Sequence, residues 1–385
     1  MSAETVLRLS RATRLDRVPA EQWNALTGTD PFLRHEFLVA LEHTGCVGSA
    51  TPWHPEHLLV RDDDGHLLGA MPLYVKYDSR GEFVFDWSWA DAFESAGLDY
   101  YPKLVSAVPF TPATGPRLLT LRGADRNAIA QTLLAGVQTL ADDIEASTAH
   151  ILFPDTADRG CLADSDFLPR KGCQFHWTND GYADFDDFLS RFSSAKRKKV
   201  KRERRRIAEQ NISFDHLQGD EPSPPDWDAI FQFYARSFLR RGRRPYLTRE
   251  FFDEIATTMP ENLVIVLARY EAQPIATAIC LRSENALYGR YWGSLADFHS
   301  LHFETCYYQG IDYCIREKLQ LFEPGTQGEH KISRGFRPTE TWSFHWIRDD
   351  EFRAAIEEFL DRETQYVDDY MQHLDGHVPY RKDPG

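Results

Sequence analysis

The string Phe175-His176-Trp177 returns as Phe344-His345-Trp346, 169 residues later. The chain has only 14 His and 9 Trp, so composition alone rarely produces this triplet twice. Leu152-Phe153-Pro154 and Leu321-Phe322-Glu323 stand at the same offset, and Asp187–Arg191 resembles Glu358–Arg362 at an offset of 171. Upstream, His57–Arg61, a turn over Asp62–Gly65, and Leu67–Met71 read as a hairpin. Leu263–Arg269, a turn over Glu271–Gln273, and Pro274–Leu281 repeat it 208 residues on. The drop from 208 to 169 places about 39 additional residues in the first copy, expected within the turn-rich stretch Tyr100–Leu121. A chain of 385 residues with this echo is constrained to fold as two versions of one unit.

The second copy gives the order of elements. Trp227–Arg241 reads as a helix, followed by strands Leu263–Arg269, Ile275–Arg282 and Ala286–Trp292. A helix over Glu304–Lys318 and strands Leu319–Glu323 and Thr341–Ile347 complete it. Helical patterns over Phe185–Gln210 and Asp349–Leu374 close the two copies. Antiparallel hairpins joined to a strand–helix–strand crossover define an α/β protein with mixed, α+β-type sheets covered by helices. The boundary is expected near residue 180, giving units 1–180 and 181–385.

Asp184–Gln210 carries one apolar stripe and reads as a single helix of about 40 Å. Its distal half, residues 196–206, holds nine Lys or Arg and one Glu, although the whole chain has a net charge of −15. That balance excludes a surface broadly suited to nucleic acid. It leaves a local anion-binding rod, centred on Lys196, Arg197, Lys198 and Lys199, or a solvated charged helix. No run approaches the 18 apolar residues of a membrane span, so integral membrane association is not expected. Met1–Leu15 lacks the apolar core of a signal peptide, and six scattered cysteines match neither a disulfide framework nor zinc spacing. A cytoplasmic, metal-free protein is expected.

Several strings resemble the FemAB-like branch of the GNAT acyltransferase superfamily, in particular bacterial predicted N-acyltransferases of the peptidoglycan biosynthesis/recognition group. They are Gly69–Tyr74, Val84–Trp87, Tyr100–Lys103, Ala107–Pro112, Gln174–Trp177 and Ser194–Lys198. The longest are His302–Gly310, Phe322–Gly325, Gln327–Lys331 and Arg334–Phe336. The resemblance implies two tandem GNAT-like domains and transfer of an acyl or aminoacyl group to a small-molecule or peptide-like amine. The donor would be acyl-CoA or aminoacyl-tRNA, with tRNA as a partner in the second case. The usual Q/R-x-x-G-x-G/A pyrophosphate loop is missing; Arg290–Leu295 comes nearest. A recognition protein that kept the fold without catalysis is the remaining alternative.

N-acyl transfer needs a base for the attacking ammonium and a donor for the developing oxyanion. Residues 302–334 supply both most densely. Glu304, Glu329, His330 and Tyr291 are the catalytic candidates, with Glu329 or Glu304 as base. Lys331 and Arg334 are the expected anion clamp, and together they resemble an arrangement around a lysine in the substrate site of Fem-type enzymes. His302, Tyr307, Asp86 and Trp87 are further substrate-binding candidates. Asp86 stands out because a carboxylate among rings must be paired or functional. His176 and His345, flanked by Phe and Trp, read as core histidines.

Overall fold

The computed structural model describes residues 6–295, 298–326 and 328–381. Contacts divide them into two units that are not sequential halves. Unit 1 runs to Gly172 and resumes over Glu340–Val367; unit 2 covers Cys173–Thr339 and resumes at Asp368. The expected cut at 180 is therefore replaced by an exchange. Strand Leu168–Thr178 starts in unit 1 and ends in unit 2, and strand Arg337–Ile347 does the reverse. The repeated Phe-His-Trp strings are the exchanged ends. Phe344 is buried in the core of unit 1, whereas Phe175 and Trp177 are buried in that of unit 2.

In unit 2, Leu263–Tyr270 is buried over its first six residues, the signature of a strand covered on both faces. Ile212–Gln218 and Gln273–Arg282 flank it, followed by Ala286–Ser294, Leu321–Glu323 and the end of Leu168–Thr178. The hairpin turns at Glu271 and Ala272, both with positive φ. A bulge precedes it between Ala268 and Arg269, and the unit 1 hairpin has its bulge between Val60 and Arg61, the corresponding place. Helix Pro224–Leu239, started by Pro224 and capped by Ser223, packs on this sheet. The approach is so close that a Cβ on Gly293 would lie 2.0 Å from the Phe233 carbonyl oxygen.

Unit 1 has a sheet ordered Arg8–Ala12, His57–Arg61, Leu67–Met71, Leu119–Thr120. The hairpin's next partner is thus Leu119–Thr120, so the extra residues of this copy run from 72 to 118, beyond the expected Tyr100–Leu121. They form strand Tyr74–Lys76, helix Trp87–Ser95 and strand Lys103–Ser106. Thr148–Leu152 pairs with Lys103–Ser106 on one side and with the incoming end of Arg337–Ile347 on the other. There Trp346 faces Ala149, while in unit 2 Trp177 faces Phe322. Leu152 is therefore not the structural counterpart of Leu321, and that echo is incidental.

The long helix expected over 184–210 is two helices, Phe185–Ser190 and Ser194–Glu209. Phe192, fully buried, forms a bridge with Tyr380, and the Ser193 N–H donates to the Pro379 carbonyl. Anchoring this short extended link satisfies its backbone, and the helix restarts beyond it. No described helix is long and apolar enough to cross a membrane.

Candidate functional site

Strands Ala286–Ser294 and Leu321–Glu323 run parallel but pair over only three positions each. Pro324, which lacks an N–H, and Gly325, with φ +92, then carry the chain away. On the other strand Ile279 faces Tyr291 and Cys280 faces Gly289, so Arg290 is the extra residue of a bulge. Two parallel strands that part at their ends leave the kind of opening where sites form in α/β folds. The helical segment from Leu301 to Arg316 follows, with a π-helical turn at Glu304–Tyr308.

After Gly328 the chain folds as a 3-10 helix over Glu329–Arg334; Gln327 lies outside the described residues. This turn buries Lys331, whose Nζ donates to the Gly325 carbonyl at 2.6 Å. Burial pushes its ammonium down to about 7. Next to it, the Tyr307 hydroxyl and His330 Nε2 lie 2.9 Å apart. Burial raises the Tyr307 phenol and lowers His330, the latter helped by Arg334 and Lys331. His302 meets Trp292 and Tyr307 edge-on, with ring centroids 5.2 Å and 5.4 Å away, and burial brings it to about 4, so it is neutral. Cys306 and His176 complete the surroundings: the Lys331 charge acts on both, and each is held neutral chiefly by burial. Lys331, His330, Tyr307 and His302 are thus brought together as one group.

Arg334 is not available as an anion clamp. Its Nη2 donates to both carboxylate oxygens of Glu203 at 3.0 Å, and its Nη1 to the His330 carbonyl at 2.6 Å. The guanidinium lies 3.4 Å from the Phe303 ring centroid. Glu203 also accepts from the Tyr308 hydroxyl. Removing one partner of such a buried pair costs about 3–5 kcal/mol. The only acid within the basic stretch therefore locks helix Ser194–Glu209 against the site turn, a role the sequence did not disclose. Arg204 adds to it by donating to Glu304 at 3.2 Å and to Asp312 at 2.6 Å.

Glu304 lies within the helical segment, at the start of its π-helical turn. Its Oε1 accepts from Arg204 and from Gln309 at 2.7 Å, while Oε2, buried, has no hydrogen bond. Burial raises its pKa against the pull of Arg204. Glu329, expected as a base, is exposed and accepts from the Tyr370 hydroxyl at 2.8 Å. Tyr291 faces helix Pro224–Leu239, with its ring 4.8 Å from that of Tyr234 and against Arg290. Among the described residues, Lys196, Arg197, Lys198 and Lys199 have no ion pair, whereas Lys201 pairs with Asp186.

Asp86 and Trp87 belong to unit 1. Trp87 is exposed beside exposed Phe85, while Asp86 is buried between them. Asp86 accepts from Tyr100 at 2.6 Å and from Lys103. Lys103 also donates to Ser79 and Glu82, each at 2.9 Å. The cross-strand neighbour of Lys103 is Lys76, equally buried, which donates to Asp78 and lies 3.7 Å from Glu82. Burial pushes Asp86 up, but Lys103 and its other partners hold it below the carboxylate range; Glu82 is pushed up to about 7 by burial. Tyr100 leads on to His150, and His150 Nδ1 lies 2.6 Å from His345 Nδ1. The partners of Asp86 came from residues 79–103, where the sequence pointed only to aromatic rings. Among the described residues, Asp62, Asp64 and His66 group closely enough to hold a metal ion, on the solvent-facing hairpin turn of unit 1.

Comparisons with known proteins agree with this architecture. FemX superposes with a TM-score of 0.52 at 11% identity, over 91% of this chain and 100% of its own. L-PGS from Bacillus licheniformis gives 0.51 at 11% identity, covering 88% and 98%. The C-terminal domain of a putative lysylphosphatidylglycerol synthetase from Agrobacterium fabrum gives 0.51 at 10%, covering 89% and 96%. These likenesses show a shared fold. No curated protein matches the sequence. The family profile for peptidoglycan biosynthesis/recognition matches residues 14–382, and the chain belongs to this FemAB-like family.

Proposed function

We propose that the protein is an N-acyltransferase that moves an acyl or aminoacyl group from an ester or thioester donor to an amine. The observation that carries this reading is Lys331, a buried amine poised near neutral pH beside the Tyr307–His330 pair. In its neutral form Lys331 Nζ takes a proton from the acceptor ammonium. The freed amine attacks the donor carbonyl, forming the C–N bond and a tetrahedral oxyanion. The carbon–oxygen or carbon–sulfur bond then breaks, and the second proton of the attacking nitrogen passes through His330 and Tyr307 to the leaving group. Such proton transfer contributes about 10²–10⁴ in rate. Burial of the exposed Glu329 is not required, and Glu304 serves to hold Arg204. The family's description directs the choice of acceptor toward amines of peptidoglycan precursors.

Incubation with aminoacyl-tRNA and acyl-CoA donors and amine acceptors, read by product mass, tests the reading. Amide formed by the native protein and lost in Lys331→Met supports it; equal product in both overturns it. An aminoacyl-tRNA donor is favoured by the unpaired Lys196–Lys199 row on a helix tied to the site by Glu203. Retention of tRNA that weakens steeply with salt supports that donor, and a flat salt response excludes it.

A further inference from the structure

The loop between helices Pro224–Leu239 and Arg249–Thr258 contains Arg240-Arg241-Gly242-Arg243-Arg244. Four guanidinium groups thus crowd into five residues of a chain whose net charge is −15. The turn is built, not loose. Gly242 has φ +67, and the N–H groups of Arg241, Gly242 and Arg243 donate to the carbonyls of Phe238, Leu239 and Phe238. Arg241, Arg243 and Arg244 are exposed, and among the described residues none of the three side chains has a hydrogen bond or ion pair to the chain. Elsewhere in unit 2, Arg204, Arg269, Arg282, Arg316 and Arg334 each hold a carboxylate. Unmatched like charges held this close repel one another, and an anion relieves that repulsion.

The position of the turn ties it to the site. Phe238, at its base, has its ring 5.3 Å from Tyr246 and 6.4 Å from Tyr291. Tyr291 lies just beyond the last pairing between strands Ala286–Ser294 and Leu321–Glu323, where they begin to part. An arginine turn seated on that aromatic group is placed to hold one end of a substrate whose reacting end lies in the opening. Guanidinium forks bind phosphate oxygens in bidentate fashion. Three of them within four residues match the extent of a diphosphate better than the length of a nucleic-acid backbone.

We infer that Arg241, Arg243 and Arg244 form a binding patch for a diphosphate group carried by one of the two substrates. This rests on the transferase reading only for the word substrate; the binding itself does not. Calorimetry of the full chain with inorganic pyrophosphate is the direct test. The triple variant Arg241→Ser, Arg243→Ser, Arg244→Ser should weaken binding at least tenfold, and the triple Lys variant should recover part of it. Thermal melting of both should match the native chain, because all three positions are exposed. Lys331→Met should bind pyrophosphate as the native protein does, which separates failure of this patch from failure of the proposed chemistry. Coenzyme A and a nucleoside-diphosphate sugar, titrated in parallel, distinguish a donor from an acceptor as the source: the one that binds more tightly and loses affinity in the Ser variant carries the group. Equal pyrophosphate binding by native and Ser proteins overturns the inference. So does a loss confined to RNA with pyrophosphate binding unchanged.

Discussion

Lys103 in unit 1 and Lys331 in unit 2 are both buried, yet their environments drive them in opposite directions. Burial alone lowers either one, but Glu82 and Asp86 outweigh it at Lys103 and raise its pKa. Among the described residues Lys331 has a carbonyl oxygen as partner and no carboxylate, so burial prevails and the group falls to about 7. The difference teaches that depth does not decide what a buried lysine can do; its partners do. A lysine clasped by two carboxylates is a permanent cation that binds elements together. A lysine against one carbonyl is a proton acceptor in waiting.

The comparison breaks most visibly at Lys103. Lys103→Met leaves Glu82 and Asp86 as uncompensated buried acids, and urea denaturation should show a loss of about 3–5 kcal/mol. A loss below about 1 kcal/mol would mean that water, not the lysine, satisfies that cluster. Lys331→Met should reverse the pattern, with transfer falling by about 10²–10⁴ and a midpoint far less altered than in Lys103→Met.

Proton linkage sharpens the contrast. A lysine with a lowered folded pKa has lost its proton above about pH 7, while the unfolded chain keeps its proton up to the ordinary lysine value of 10.5. Unfolding therefore takes up a proton in that window, and stability should rise with pH from about 7 toward 10.5. The rise should disappear in Lys331→Met. The rate should climb through about pH 7 and level off above it, since the neutral amine is the active form. A rate that falls through pH 7 would assign Lys331 to binding as a cation instead. The smallest expected effect belongs to Glu329→Gln, which should alter the rate by less than about twofold, because Glu329 is exposed and, among the described residues, its side chain bonds only to Tyr370.

Much of this was legible in the sequence, and the rest was hidden for identifiable reasons. The Phe-His-Trp repeat and the two hairpins announced the duplication, because local strings survive as strings. They did not reveal the exchange, since a strand's sequence specifies its face and not the sheet that receives it. The Leu152/Leu321 echo failed for the same reason, as the register of pairing is set between strands. The break at Phe192 is made by Tyr380 and Pro379, almost two hundred residues away in sequence, so helical periodicity ran through it. In the site, dense ionisable residues pointed to Lys331, His330, Tyr307 and His302, and the fold brings these four together. Roles were harder to read, because they depend on where each side chain ends: Glu329 in solvent, Arg334 against Glu203.

The exchanged strands have a consequence for synthesis. Unit 1 needs Glu340–Val367 to complete its sheet and its core. Those residues leave the ribosome only after nearly the whole of unit 2 has been made. During that interval Thr148–Leu152 has one strand edge without its final partner, an exposed template of the kind that invites association between nascent chains. The N-terminal portion is translated first but completes its sheet only after most of unit 2 has followed it.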